Sequence, residues 1–93
     1  MDTVYKYPLD RIEHGPVTIS FPEGSVVHIG RDPYGQWCAW VRIYDLSGLI
    51  FSRRVCMIGT GHPLPDGTWL HVSTVTDGPF VWHFFVEHGA YDE

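Results

Sequence analysis

Basic side chains are scarce in this chain: its 93 residues include 6 lysines and arginines against 11 aspartates and glutamates, a formal charge of −5. Proteins that bind DNA or RNA polymers displace counterions with a basic surface, so this balance weighs against such a partner. Long apolar runs are missing too, since no segment approaches the roughly 20 apolar residues of a membrane span. The opening MDTVYKYPLD lacks the apolar segment of a secretory signal. We therefore expect a cytoplasmic protein without a membrane or a nucleic-acid polymer as partner.

Cysteine and recognisable catalytic motifs are also rare. Cys38 and Cys56 are the two cysteines, and in a cytosolic chain they are expected to be free thiols rather than a disulfide. The six histidines show no close ligand spacing and no CxxC pair accompanies them, so no metal site is predicted. Nucleophile-elbow, HExxH and paired-carboxylate motifs are absent from the sequence. We therefore predict a protein that is not an enzyme and needs no cofactor.

Aromatic residues, by contrast, are abundant. Apolar residues make up 44% of the chain and aromatics 15%, with four tryptophans, five tyrosines and five phenylalanines. This composition is typical of a folded domain, and the length fits a single domain over residues 1–93. So many rings exceed what one small core hides, so some are expected to line a pocket or a subunit interface. A homo-oligomer is expected for the same reason.

The pattern along the chain predicts strands nearly throughout. Segments rich in β-branched and aromatic residues alternate with clusters of turn-forming residues, among them PEG at 22–24, RDPYG at 31–35 and LSG at 46–48. No window keeps a 3.6-residue apolar period, so little or no helix is expected. The predicted strands cover 3–9, 17–21, 26–30, 36–45, 50–59, 68–75 and 80–88. Together they predict a small antiparallel all-β fold, a sandwich or a partly open barrel of about six to seven strands.

Segment 36–45 alternates cleanly between two faces. Trp37, Ala39, Val41 and Ile43 point one way and are the natural core face, whereas Cys38, Trp40, Arg42 and Tyr44 point the other way. The second face, with two aromatic rings around a guanidinium, either covers a wet surface or forms a platform on which a ligand stacks.

A turn at Leu46-Ser47-Gly48 is expected to pair this strand with 50–58. A two-residue turn places Arg42 opposite Arg53, an unfavourable pair of like charges unless an anion lies between them. A three-residue loop places Cys38 opposite Cys56 instead. The sequence leaves both registers open.

The segment GTGHPLPDG, residues 59–67, is long for a connection between strands. Its glycines leave backbone N–H groups unhindered, Thr60 adds a hydroxyl and His62 an imidazole, and successive N–H groups in such a turn form a concave nest for anions. The alternative is a structural loop in which glycines supply positive φ and prolines block edge pairing. Neither a Walker motif nor a dinucleotide fingerprint is present.

Strand 80–88 is apolar on both faces, which suits a central strand or one that meets another subunit. His83 lies in its middle, among aromatic rings. Such a histidine is either hydrogen-bonded to a neighbour within the structure or part of a binding site.

Several of these motifs occur together in a known group of proteins. YKYPL at 5–9, PEG at 22–24, CAW at 38–40, GTGHPLPDG at 59–67 and VWHFFV at 81–86 resemble a family of small proteins from tailed phages and prophages. The resemblance covers roughly residues 4–87. The chain departs from the family pattern at residues 42–44, where Arg, Ile and Tyr replace Leu, Val and Asp.

Small acidic phage β-proteins of this kind look like viral sponges, which sequester the nucleotide signals of bacterial CBASS and Thoeris immunity without cleaving them. The resemblance implies an anti-defence protein that binds a cyclic dinucleotide or a cyclic ADP-ribose type of ligand in the host cytoplasm. Such a site needs rings for stacking and guanidinium or N–H groups for phosphates. The candidate ligand-binding residues are Trp37, Trp40, Arg42, Arg53, Thr60, Gly61, His62 and His83.

Two other functions remain open from the sequence. One is a structural or host-protein-binding module that uses the apolar face of 80–88. The other is a phosphodiesterase-like enzyme that uses His62.

Overall fold

The protein folds into an open antiparallel sheet. The structure, a computed structural model, describes residues 2–88. Its five strands are β1 (Thr3–Pro8), β2 (Val17–Arg31), β3 (Trp37–Gly59), β4 (Trp69–Asp77) and β5 (Phe80–Glu87), and a single 3-10 turn covers Ile12–His14. The order β1-β3-β5-β4, with β2 on β3, leaves the sheet unclosed. The antiparallel all-β prediction is confirmed, with five strands rather than six or seven.

The lower strand count arises because β2 and β3 each contain two predicted strands. β2 pairs with β3 along nearly its whole length, from Val17↔Val55 to Arg31↔Trp37. The chain reverses between them at RDPYG, where the Asp32 carboxylate accepts the backbone N–H groups of Tyr34 (2.9 Å) and Gln36 (3.0 Å). That turn was correctly predicted, whereas the turns predicted at PEG and LSG do not reverse the chain.

At LSG, β3 makes a local excursion and then resumes the same pairing. The register passes from Pro22↔Ile50 to Glu23↔Asp45, so residues 46–49 lie between paired positions of β3. The Asp45 carboxylate holds the excursion by accepting the N–H (2.9 Å) and hydroxyl (2.6 Å) of Ser47. β2 forms the backbone hydrogen bonds of β3 on both sides of the excursion. The two parts of β3 therefore do not have to pair with each other as a hairpin.

Both predicted hairpin registers are therefore wrong. Arg42 lies opposite Val4 on one side and Ser25 on the other, and Arg53 lies opposite Ile19. Cys38 and Cys56 also lie apart in the pairing and are free thiols, as expected.

The long β2–β3 ribbon carries a different flanking strand at each end. β1 flanks the first half of β3, from Thr3↔Ile43 to Pro8↔Cys38, and β5 flanks its second half, with β4 on the far edge of β5. The two halves contact each other where the Ser73 hydroxyl of β4 accepts the Ile29 N–H (3.3 Å) and donates to the Ile29 carbonyl (2.6 Å). The sheet is thus folded on itself in the manner of a small sandwich.

The core lies between these halves. It comprises the inward side chains Leu9, Ile12, Ile19, Phe21, Ile29, Trp37, Ala39, Val41, Ile43, Val55 and Phe84. The face predicted for the core from the alternation of 36–45 is confirmed, because its four members are all buried.

The length of GTGHPLPDG has a topological cause. β3 and β4 pair with opposite edges of β5, so they run parallel and their connection must travel the length of β5. It leaves β3 beside Trp82 and enters β4 beside Glu87. Hydrogen bonds from Arg54 to the Asp66 carbonyl (3.4 Å) and from the Trp69 indole to the Pro65 carbonyl (2.9 Å) hold the crossover in place.

Candidate functional site

A cleft of about 420 Å³ opens between the two halves of the folded sheet. Residues 24–27 of β2 form one wall, and residues 70–72 of β4 with 86–88 at the end of β5 form the other. Phe21 and Arg53 complete the lining. The pairing of β2 with β3 shifts register on both sides of Glu23, next to this wall, and such irregularities bend a strand.

Arg53 occupies an inward position that an apolar residue would normally fill. It lies two residues from Val55 and opposite Ile19, both of them core residues, and only 9% of its surface is exposed. Its guanidinium donates to the Ser52 carbonyl (3.2 Å) and lies 5.8 Å from the centre of the Phe51 ring. A guanidinium in the wall of a cleft presents N–H donors in a fixed, planar arrangement that suits an anionic group of a ligand.

The other polar groups of the cleft have defined partners. The Ser25 hydroxyl is 2.6 Å from the Tyr44 phenol, and the His71 ring packs edge-on against Phe85 at 5.4 Å between centroids. The Glu87 carboxylate forms an ion pair with Arg54 (2.7 Å).

The hydrogen bonds from Arg54 lower the pKa of Glu87, and the charge of Arg53 contributes in the same direction. Glu87 is the carboxylate that lines the cleft within the described residues. Because Arg54 pairs with it, its negative charge opposes an incoming anion less strongly.

Four of the predicted site residues lie together at the opposite end of β5. The Thr60 hydroxyl is 2.7 Å from His83 Nε2, and Thr60 and His62 line a pocket of about 320 Å³. Gly61 adopts a φ of 90°, and the N–H of His62 donates to the Gly59 carbonyl (3.1 Å). That N–H closes the turn and so is not offered to an anion, and no arginine or lysine lines the pocket among the described residues.

The remaining predicted residues lie elsewhere. Trp37 is buried in the core, 4% exposed, with the Arg31 guanidinium 4.2 Å above its ring. Trp40 lies on the outer face beside His28, at 5.6 Å between ring centroids. Arg42, also on that face, forms an ion pair with Asp2 (2.6 Å). The eight predicted residues thus divide among the cleft, the pocket, the core and the outer face.

Most of the cleft was not found from the sequence. Phe21, Ser25 and His71 belong to three separate stretches that only the bend and the β4–β5 pairing bring together. One signal was available: Arg53 interrupts an alternating apolar row that includes Phe51, Val55 and Met57. A charge in such a row indicates an inward-facing functional group.

A protein-family profile, described as a domain of unknown function (DUF7352), matches residues 1–92. The chain belongs to this family. Comparisons with curated proteins and with solved structures yield no significant match. The geometry of the cleft is therefore the main guide to the function of this DUF7352 member.

In residues 2–88, no helix has the length and apolar character needed to cross a membrane. The same residues contain no group of three or more histidine, cysteine or acidic side chains arranged to hold a metal ion.

Proposed function

We propose that this protein binds a small nucleotide-derived signal in the Arg53 cleft and sequesters it without cleaving it. The observation that carries this proposal is the inward guanidinium of Arg53 in the wall of a cleft that also presents apolar side chains from both walls. The resemblance to phage and prophage proteins supports an anti-defence role in the host cytoplasm, with a cyclic dinucleotide or a cyclic ADP-ribose type of ligand.

The lining of the cleft is complementary to the parts of a nucleotide. Its volume of about 420 Å³ falls within the ~300–1,000 Å³ typical of small-molecule sites. Phe21, Val26 and Val72 supply apolar surface for a base. A guanidinium binds phosphate through paired N–H groups, which assigns that role to Arg53.

Sequestration requires that the protein binds its ligand without activating a nucleophile against it. The Ser25 hydroxyl, which lines the cleft, fits this requirement. The Ser25 hydroxyl forms a hydrogen bond with the phenol of Tyr44. A catalytic serine is instead hydrogen-bonded to a general base such as histidine. Release of an unaltered ligand is therefore the expected end of each binding event.

We also propose that the ligand site is closed by a second copy of the chain. Val27 and Leu70 line the cleft, one on each wall, and each is about half exposed although apolar. A second copy that covers these apolar side chains would remove them from water, which stabilises an interface.

The test uses cyclic dinucleotides and cyclic ADP-ribose isomers. The protein is incubated with each, separated from free ligand and heated, and the released compound is identified by mass spectrometry. We expect one class to raise the Tm and to be recovered intact. Recovery of a cleaved product would contradict sequestration, and the absence of any Tm shift or recovered compound across the panel would contradict the proposal.

A charge-matched pair of variants locates the site. Arg53→Gln is expected to lower affinity by at least about tenfold, because a charged hydrogen bond contributes roughly 1.5–3 kcal/mol. Arg42→Gln removes the same charge from the outer face and is expected to leave affinity within about twofold. Equal losses in both variants would show a general charge effect rather than a site at Arg53.

A host-protein-binding module is the second candidate function. Leu46 and Leu49 lie in the excursion of β3 and Ile50 follows it, and all three are exposed, Leu49 by 75%. Adjacent exposed aliphatic residues are typical of protein contact surfaces. Stoichiometric capture of one host protein, lost in Leu49→Asp and accompanied by no small-molecule Tm shift, would favour this function over sequestration.

A further inference from the structure

We propose that the pocket at the start of β5 is a second, independent site that binds a flat, uncharged heteroaromatic ring such as a nucleobase. This pocket, about 320 Å³ in volume, is lined by Gly59, Thr60, His62 and residues 79–82.

A stacked pair of aromatic rings forms one side of the pocket. Phe80 and Trp82 are two residues apart in β5 and so project from the same face. Their ring centroids are 5.6 Å apart and their planes differ by 22°. Phe80 remains 57% exposed. A ring that is stacked on one side and open on the other is a ready platform for another flat ring.

A chain of hydrogen bonds holds Thr60, one of the residues that line the pocket. The Thr60 hydroxyl is 2.7 Å from His83 Nε2, and His83 Nδ1 is 3.0 Å from the Thr74 hydroxyl. Thr74 is in turn 2.9 Å from His71 Nε2. Because each ring nitrogen of His83 has a partner, the imidazole is held in place and orients the Thr60 hydroxyl. Thr60, which lines the pocket, is thereby held in a fixed position.

The charge of the lining selects the class of ligand. Among the described residues that line this pocket, none is an acid, a lysine or an arginine, and His62 is the one titratable side chain. A charged ligand would lose its hydration there without gaining an opposite charge. The lining therefore favours a neutral ring.

The pocket shares no lining residue with the Arg53 cleft, although the hydrogen-bond chain from Thr60 ends at His71, which lines the cleft. The pocket includes residues 80–82 of β5, and the cleft includes residues 86–88. At about 3.3 Å per residue, the nearest of these residues, Trp82 and Val86, are roughly 13 Å apart along the strand, and the centres of the two ranges roughly 20 Å. A ligand in one does not occupy the other.

The experiment titrates the protein, labelled with ¹⁵N, with adenine as the neutral flat-ring probe. Cyclohexanol serves as a neutral ring that is not flat, and benzoate as a flat ring that is charged. We expect saturable shifts of the Thr60 and Gly61 amides and of the Trp82 indole with adenine, and weaker binding of both other probes. Absence of saturable shifts at these groups, or equal affinity for cyclohexanol or benzoate, would overturn the proposal.

Variants separate stacking from general effects. Phe80→Ala removes the platform and is expected to weaken adenine binding by about tenfold, since stacking of one base contributes ≈1–3 kcal/mol. Tyr34→Ala removes an exposed aromatic ring elsewhere and is expected to change the affinity by less than about twofold. Adenine binding by Phe80→Ala that equals the parent's would overturn the proposal.

Arg53→Gln tests independence from the cleft. Adenine affinity in Arg53→Gln should match the parent's even where nucleotide sequestration is lost. Loss of adenine binding in that variant would overturn the assignment of two separate sites.

Discussion

The ring of Trp37 packs against the ring of Phe84, with centroids 5.0 Å apart and planes at 49°. Trp37 begins β3 and pairs with Arg31 of β2, whereas Phe84 lies in the middle of β5. The contact therefore joins the two halves of the folded sheet, and both side chains are buried. The sequence placed Trp37 both on the core face and among the candidate ligand-binding residues, and in the structure its ring packs within the core.

This contact predicts a large stability difference between two tryptophans of the same strand. Trp37→Ala leaves a cavity in the core and is expected to lower the free energy of unfolding by about 3–5 kcal/mol. Trp40→Ala removes a half-buried ring from the outer face and should cost clearly less. Urea unfolding followed by circular dichroism measures both, and equal losses would contradict the placement of Trp37.

Gly24 is expected to tolerate no side chain. A Cβ at this position would lie 2.3 Å from the carbonyl oxygen of Arg42, so the backbone of β2 or β3 would have to shift. Gly24→Ala should therefore destabilise the protein by about 1–3 kcal/mol. In Gly48→Ala the nearest atom is the Asp45 carboxylate at 3.4 Å, so that variant is the control. A Gly24→Ala protein as stable as Gly48→Ala would show that the close approach at the bend is not required.

Asp32 is predicted to make stability depend on acid pH. The hydrogen bond from Lys6, followed by those from Gln36 and Tyr34, lowers the pKa of Asp32 to about 2. Because the folded-state pKa lies below the unfolded value, near 4, the stabilisation is present above about pH 4 and is lost as pH falls towards 2.

The variant that checks this is Asp32→Asn. It should lower the Tm at pH 7, and the difference from the parent should shrink between pH 4 and pH 2. Lys6→Gln should lower the Tm less at pH 7, since the two backbone donors to Asp32 remain. A Tm difference for Asp32→Asn that is as large at pH 2 as at pH 7 would contradict the assignment.

Cys56 is expected to be unreactive in the folded protein. It is 1% exposed, and burial raises the pKa of its thiol to about 11. Burial also raises the pKa of Cys38. Since the thiolate is the reactive form, iodoacetamide at pH 8 should label both cysteines much more slowly in the native protein than in urea. Mass spectrometry counts the labelled thiols, and native labelling as fast as that in urea would refute the burial of these residues.

Local patterns predicted much of the fold because they depend on neighbouring residues. The alternation of Trp37, Ala39, Val41 and Ile43 identified the core face of β3, since successive side chains point to opposite sides. The Asp32 turn was predictable because its carboxylate caps N–H groups only two and four residues away.

Which strands pair with each other depended on residues far apart in the chain. PEG and LSG have the composition of turns that reverse the chain. However, β2 and β3 pair with each other on both sides of these segments, so their backbone hydrogen bonds are made while each strand continues in the same direction. The same continuity produces the bend that brings Ser25 and Arg53 into one cleft with His71. Side-chain alternation is a property of the strand alone, whereas strand partners and clefts result from competition among all possible pairings.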